Sequence, residues 1–131
     1  MGLTLENTGA EPKRVTILGS TGSIGTNTID LIERDPDAFQ VEALTANQNV
    51  ELLADQARRL NARLAVVADE SKYDDLKKAL AGTPVKVAAG REALIEAAAA
   101  PSDWVMAAIV GAAGLEPTMA AVRRGTLVAL A

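Results

Sequence analysis

No cysteine and no histidine occur anywhere in the sequence. Their absence excludes disulfides, thiolate metal sites, the commonest zinc ligand and the commonest general base. A Ser/His/Asp arrangement is therefore impossible, and no carboxylates cluster with metal-ligand spacing. Aromatic residues make up only 2% of the chain: Phe39, Tyr73 and Trp104. A single-strand nucleic-acid binder needs several stacking rings, and the net charge of −4 disfavours a phosphate-backbone partner. No apolar run approaches the ~20 residues needed to span a bilayer. Residues 1–14 lack the apolar stretch of a secretory signal, and Glu6 stands where a myristoylation pattern requires Ser or Thr. These exclusions leave a cytoplasmic protein with no membrane partner as the expectation.

What is present is a regular alternation. The 131 residues, 49% of them hydrophobic, suffice for one domain with a sizeable core. Residues 1–12 are polar and turn-rich and read as a flexible leader. Strands are expected over Val15–Leu18, Phe39–Thr45, Leu64–Ala68, Val85–Ala88, Trp104–Val110 and Thr126–Ala131. Between them come helical stretches. The first is expected to present Ile24, Thr28, Leu31 and Ile32 on one face and to end at Asp35-Pro36-Asp37. The second starts at Asn49 and carries Val50, Leu53, Ala57 and Leu60 inward. The third, Ser71–Leu80, turns Leu76 and Leu80 inward and closes at Gly82. The fourth spans Arg91–Ala100 and the fifth Pro117–Arg124. Strands apolar throughout and alternating with helices predict an α/β Rossmann-type fold, a doubly wound, mainly parallel sheet with helices on both faces. Arg58-Arg59 and Arg123-Arg124 read as helix-end charges, and Asp74-Asp75 with Lys77-Lys78 as a solvated face. The chain stops within the apolar run LVALA, which raises the expectation of a domain cut before a catalytic part.

Between the first strand and the first helix lies Gly19-Ser20-Thr21-Gly22-Ser23-Ile24-Gly25. Gly19 permits a sharp turn at the strand end, Gly22 lets a pyrophosphate approach the backbone, and Gly25 lets the helix pack closely on the sheet. The N–H groups of Gly22, Ser23 and Ile24 are expected to face the anion, and the Thr21 and Ser23 hydroxyls to add donors. Its spacing is G-x-x-G-x-x-G, not the commoner G-x-G-x-x-G, and the strand–turn–helix context is what gives it weight.

An NAD site places an acid at the end of the second strand, bonded to the ribose hydroxyls. That strand is followed here by Asn47-Gln48-Asn49, with no acid before Glu51. Neutral amides tolerate a 2′-phosphate that a carboxylate would repel, which points to NADPH. Asn49 is equally a helix cap. The small residues Ala107–Gly114 end a central strand at the edge where such sheets bind ligands. They suit close cofactor approach and tight helix–sheet packing alike.

RVTILGSTGSIGTNTIDLI and VMAAIVGAAGLEPTMAAVRRG resemble the 1-deoxy-D-xylulose 5-phosphate reductoisomerases, over about Arg14 to Ala131. The resemblance implies the N-terminal NADPH-binding domain of an oxidoreductase in non-mevalonate isoprenoid biosynthesis. It implies cofactor contacts at Thr21, Gly22, Ser23 and Ile24 and at Asn47, Gln48 and Asn49. It also implies a homodimeric parent that uses Mg²⁺ or Mn²⁺. Many members carry Lys at the position of Gln48. The family's Asn-Lys-Glu segment, metal-binding acids and substrate-phosphate site come after the stretch matched here, so the chain alone is expected to hold cofactor without catalysing the reaction. Two alternatives stand beside this reading: a standalone dinucleotide-sensing module, and the cofactor half of a semialdehyde or acyl-phosphate reductase, against which MAAIVGAAGLEPT argues.

Overall fold

The computed structural model describes residues 11–108, 115–124 and 127–130. Most of the expected leader, Ile109–Gly114 of the fifth-strand exit, Gly125 and the side chains of Arg123 and Arg124 lie outside the described residues. The strands are β1 (Lys13–Leu18), β2 (Phe39–Ala46), β3 (Leu64–Val67), β4 (Lys86–Ala89), β5 (Trp104–Ala107) and β6 (Leu127–Leu130). The helices are α1 (Ser23–Glu33), α2 (Val50–Leu60), α3 (Tyr73–Ala79), α4 (Arg91–Ala99) and α5 (Leu115–Arg124). Boundaries differ from the expected ones by a residue or two at most ends. The third helix departs further: its first turn, Glu70–Lys72, is a 3₁₀ helix.

All pairings are parallel, in the order β4-β3-β2-β1-β5-β6. The chain lays down β1 to β4 in one direction and then returns to place β5 on the other side of β1. Strand order therefore reverses between β1 and β5, and the carboxyl ends of those strands border the crevice where open α/β sheets take ligands.

Side chains alternate across this sheet. Val15 and Ile17 of β1 and Val67 of β3 join Ile29, Leu53, Ala57 and Leu76 of α1, α2 and α3 in one core cluster. Leu18, Val105 and Val66 fall in the clusters that include residues of α4 and α5. Each of these large side chains, fully buried, contributes ~1.5–3 kcal/mol. Alternation breaks once. Val15 pairs with Val41 but Thr16 with Ala43, so Glu42 is an extra residue in β2. The bulge reverses the parity of the strand, so that Val41, Leu44 and Ala46 share a core cluster while Ala43 joins another. Glu42 lies opposite Arg63, with Nε and Oε2 3.4 Å apart.

The expected inward face of α1 requires correction. Gly25, Ile29 and Ile32 are the buried residues, whereas Ile24 is 48% and Leu31 61% exposed. Gly25, not Ile24, is the residue packed against the turn at the start of α1. On the β1–β5 side of α1, Val15, Ile17, Leu31, Phe39, Trp104 and Met106 line an apolar groove of about 390 Å³. Arg58 and Arg59 do more than complement a helix end. Arg58 Nε donates to the Ala79 carbonyl at the end of α3, 3.0 Å away, while Arg59 bridges Asp55 and Glu33, tying α2 to α1.

Candidate dinucleotide site

The β1–α1 turn is held by two neighbouring elements. Gly19 takes φ +80, a left-handed conformation that suits glycine. Its N–H donates to the Thr45 carbonyl at 3.1 Å and to Thr45 Oγ1 at 3.0 Å, and the Ser20 N–H donates to the same carbonyl at 2.8 Å. Ser20 is fully buried. Its hydroxyl donates to Gln56 Oε1 at 2.7 Å, and Gln56 Nε2 donates to the Ser20 carbonyl at 3.0 Å. The turn is thereby fixed to the end of β2 and to the middle of α2. Sequence reasoning missed Gln56. The signal lay in its position: it occupies a place on the inward stripe of α2, between Leu53 and Leu60 and next to Ala57, where an unpaired amide would be costly.

Replacing Gln56 with Leu keeps the volume but strands the Ser20 carbonyl and hydroxyl in the interior. We expect a loss of about 2 kcal/mol in urea unfolding. An unchanged midpoint would mean that the pair does not brace the turn.

The three glycines have different tasks. A Cβ on Gly25 would lie 2.2 Å from the Gly19 carbonyl oxygen and 2.6 Å from Ser20 Cα, so this residue is demanded by packing within the chain. Gly22 is not. Its φ of −77 and ψ of 177 are open to any residue, and a Cβ there would meet nothing closer than the Gly19 oxygen at 3.7 Å.

Gly22 is also the N-cap of α1, and no side chain caps that helix. The first intrahelical bond runs from the Thr26 N–H to the Gly22 carbonyl. The Ser23 and Ile24 N–H groups therefore precede the helical ladder, at an exposed helix start with no acidic residue in its first turn. The Gly22 N–H differs from expectation, since it donates to the Gly19 carbonyl at 3.3 Å and closes the turn. Thr21 is half-buried and Ser23 exposed beside it.

Asn47, Gln48 and Asn49 are all exposed at the carboxyl end of β2, the strand next to β1. Asn49 Oδ1 accepts from the Leu52 N–H at 3.2 Å, so the helix-cap reading is realised. The cap does not exhaust the amide: with Oδ1 engaged, Nδ2 remains a donor. The Asp69 N–H donates to the Asn47 carbonyl at 3.1 Å, joining this loop to the one after β3. Hydrogen bonds from the Ser71 hydroxyl and N–H hold the Asp69 carboxyl below its ordinary pKa. Ala107, buried, and the Ala108 N–H, donating to the Leu18 carbonyl, bring the end of β5 beside the same turn.

The family profile of 1-deoxy-D-xylulose 5-phosphate reductoisomerase matches residues 15–131. The reductoisomerase of Zymomonas mobilis is 61% identical over 122 residues, which are 93% of this chain and 31% of that protein. A structure of the Zymomonas mobilis enzyme in complex with NADPH superposes with a TM-score of 0.91, covering 92% of this chain and 32% of that one. A second reductoisomerase structure, in complex with NADPH, fosmidomycin and magnesium, is 35% identical with a TM-score of 0.84, over 88% of this chain and 29% of that one. The chain thus spans about a third of the length of these relatives. Similarity at this level sets aside the semialdehyde and acyl-phosphate reductases: the chain belongs to the 1-deoxy-D-xylulose 5-phosphate reductoisomerase family.

Proposed function

We propose that residues 13–131 form an NADP(H)-binding Rossmann domain of a 1-deoxy-D-xylulose 5-phosphate reductoisomerase. The whole protein would isomerise 1-deoxy-D-xylulose 5-phosphate and reduce the intermediate with NADPH to 2-C-methyl-D-erythritol 4-phosphate. The observation that carries the reading is Gly22: the fold has room for a side chain there, yet the position is kept bare at an uncapped helix start. A pyrophosphate seated against Gly22, Ser23 and Ile24 accounts for both features, with Gly19 and Gly25 shaping the turn and Thr21 adding a donor. Asn47, Gln48 and Asn49 then stand at the adenosine ribose. When bound, NADPH supplies the hydride; the residues here bind and orient it.

No group of three or more acidic side chains among the described residues could hold a metal ion. The reading accordingly assigns no ligands for Mg²⁺ or Mn²⁺ among them and routes no step through a metal. It further places the whole protein in the cytoplasm as a homodimer without membrane partners, and without nucleic-acid partners in keeping with the net charge of −4 and the few aromatic rings.

Calorimetric titration of the chain with NADPH and, separately, NADH tests the proposal. NADPH should bind at least about tenfold more tightly, the worth of one charge-assisted contact to the 2′-phosphate. Equal affinities would remove the NADP preference and leave the dinucleotide domain. A folded chain that binds neither would end the reading.

A further inference from the structure

A cleft of about 380 Å³ opens at the carboxyl ends of β2 and β3. Gln48 and Asn49 line one side, with Glu51 in the first turn of α2; Lys72, Asp75 and Lys78 line the other. The two sides are held in register by backbone bonds. The Ala68 N–H donates to the Ala46 carbonyl at 2.8 Å, the Asp69 N–H to the Asn47 carbonyl at 3.1 Å, and the Lys72 N–H to the Asp69 carbonyl at 3.0 Å. Lys72 is thereby anchored beside the amide loop by the short 3₁₀ turn Glu70–Lys72, and it is half-buried there.

A 2′-phosphate at the ribose is doubly charged, and amides alone supply donors without charge. Residues 47–49 contain no cation. The cations that line the cleft, Lys72 and Lys78, come instead from the next crossover. Neither Lys72 nor Lys78 makes an ion pair within 4 Å among the described residues, although the Lys72 charge helps to hold the nearby Asp69 carboxyl below its ordinary pKa. Lys77, by contrast, is turned over the Tyr73 ring. The cleft also carries two acids, Glu51 and Asp75, in the first turns of α2 and α3, where the positive helix ends favour them. We propose that Lys72, supported by Lys78, is the cationic side of the 2′-phosphate site and determines the preference for NADPH over NADH. Gln48 and Asn49 Nδ2 donate from the opposite side, and Lys72 acts as a point charge on the phosphate oxygens. In sequence this cation stands more than twenty positions beyond the loop it serves.

The inference rests on the dinucleotide reading above, and its test separates the two. Lys72→Met, Lys72→Arg and Lys78→Met would be titrated with NADPH, NADH, 2′,5′-ADP and 5′-AMP, with far-UV spectra to verify folding and Lys72→Gln as a second neutral variant. Lys72→Met should weaken NADPH and 2′,5′-ADP about tenfold and leave NADH and 5′-AMP within about twofold, with Lys72→Arg close to the parent and Lys78→Met in between. Equal losses for phosphorylated and unphosphorylated ligands, or no loss for either, would overturn the role of Lys72 while the domain keeps its cofactor. Failure of the unsubstituted chain to bind any of the four ligands would overturn both.

Discussion

Gly25→Ala is expected to cost about 3 kcal/mol or more in urea unfolding, the upper range for overpacking a core position. The new methyl group would stand 2.2 Å from the Gly19 oxygen and 2.6 Å from Ser20 Cα, and both are backbone atoms. Neither can rotate away. Gly19 and Ser20 are pinned to Thr45, and Ser20 to Gln56, so relief requires α1 to lift from the sheet and expose Ile29 and Ile32, now buried. Cofactor affinity would fall with stability, because the helix start moves with the helix. An unfolding free energy within ~0.5 kcal/mol of the parent would show that α1 does not pack on the turn as described.

Gly22→Ala separates the two properties. Its backbone angles suit alanine and its surroundings leave space, so stability should hold or rise by about 0.5 kcal/mol as the unfolded chain loses freedom. NADPH affinity should fall roughly a hundredfold, the equivalent of two charge-assisted N–H bonds pushed out of reach, or about 3 kcal/mol. Calorimetry with NADPH on the folded variant decides it. Undiminished binding would place the pyrophosphate elsewhere and remove the main support for the proposed function. The pair of variants is informative because the two glycines are three residues apart in one motif. The fold requires one of them; the proposed pyrophosphate contact accounts for the other.

Much of this was readable from the sequence. The strand–helix alternation follows from short apolar runs broken by Gly, Pro and Asn, and the described ends match it closely because local backbone preferences set them. The third helix strayed because Asp69 takes the Ser71 N–H and tightens the first turn. The inward face of α1 was misread for a definite reason. Ile24 and Leu31 are as hydrophobic as Ile29, and periodicity alone cannot tell an apolar side chain that packs on the sheet from one facing a groove or a ligand. Asn49 was legible in both its roles, since an asparagine ahead of an amphipathic helix caps it whatever else it does.

Three features are local and legible in short stretches of chain: which segments become strands and helices, the glycine spacing that makes the β1–α1 turn, and the lack of an acid after β2. Each depends on residues within a turn or two of one another. The remaining features arise from long-range packing. It placed β5 beside β1, put the extra residue of β2 at Glu42, seated Gln56 under Ser20 and set Lys72 in the cleft that Gln48 and Asn49 line. These pairings join positions far apart in the chain. Their energies are settled only when the whole sheet closes and each buried polar group must find its partner.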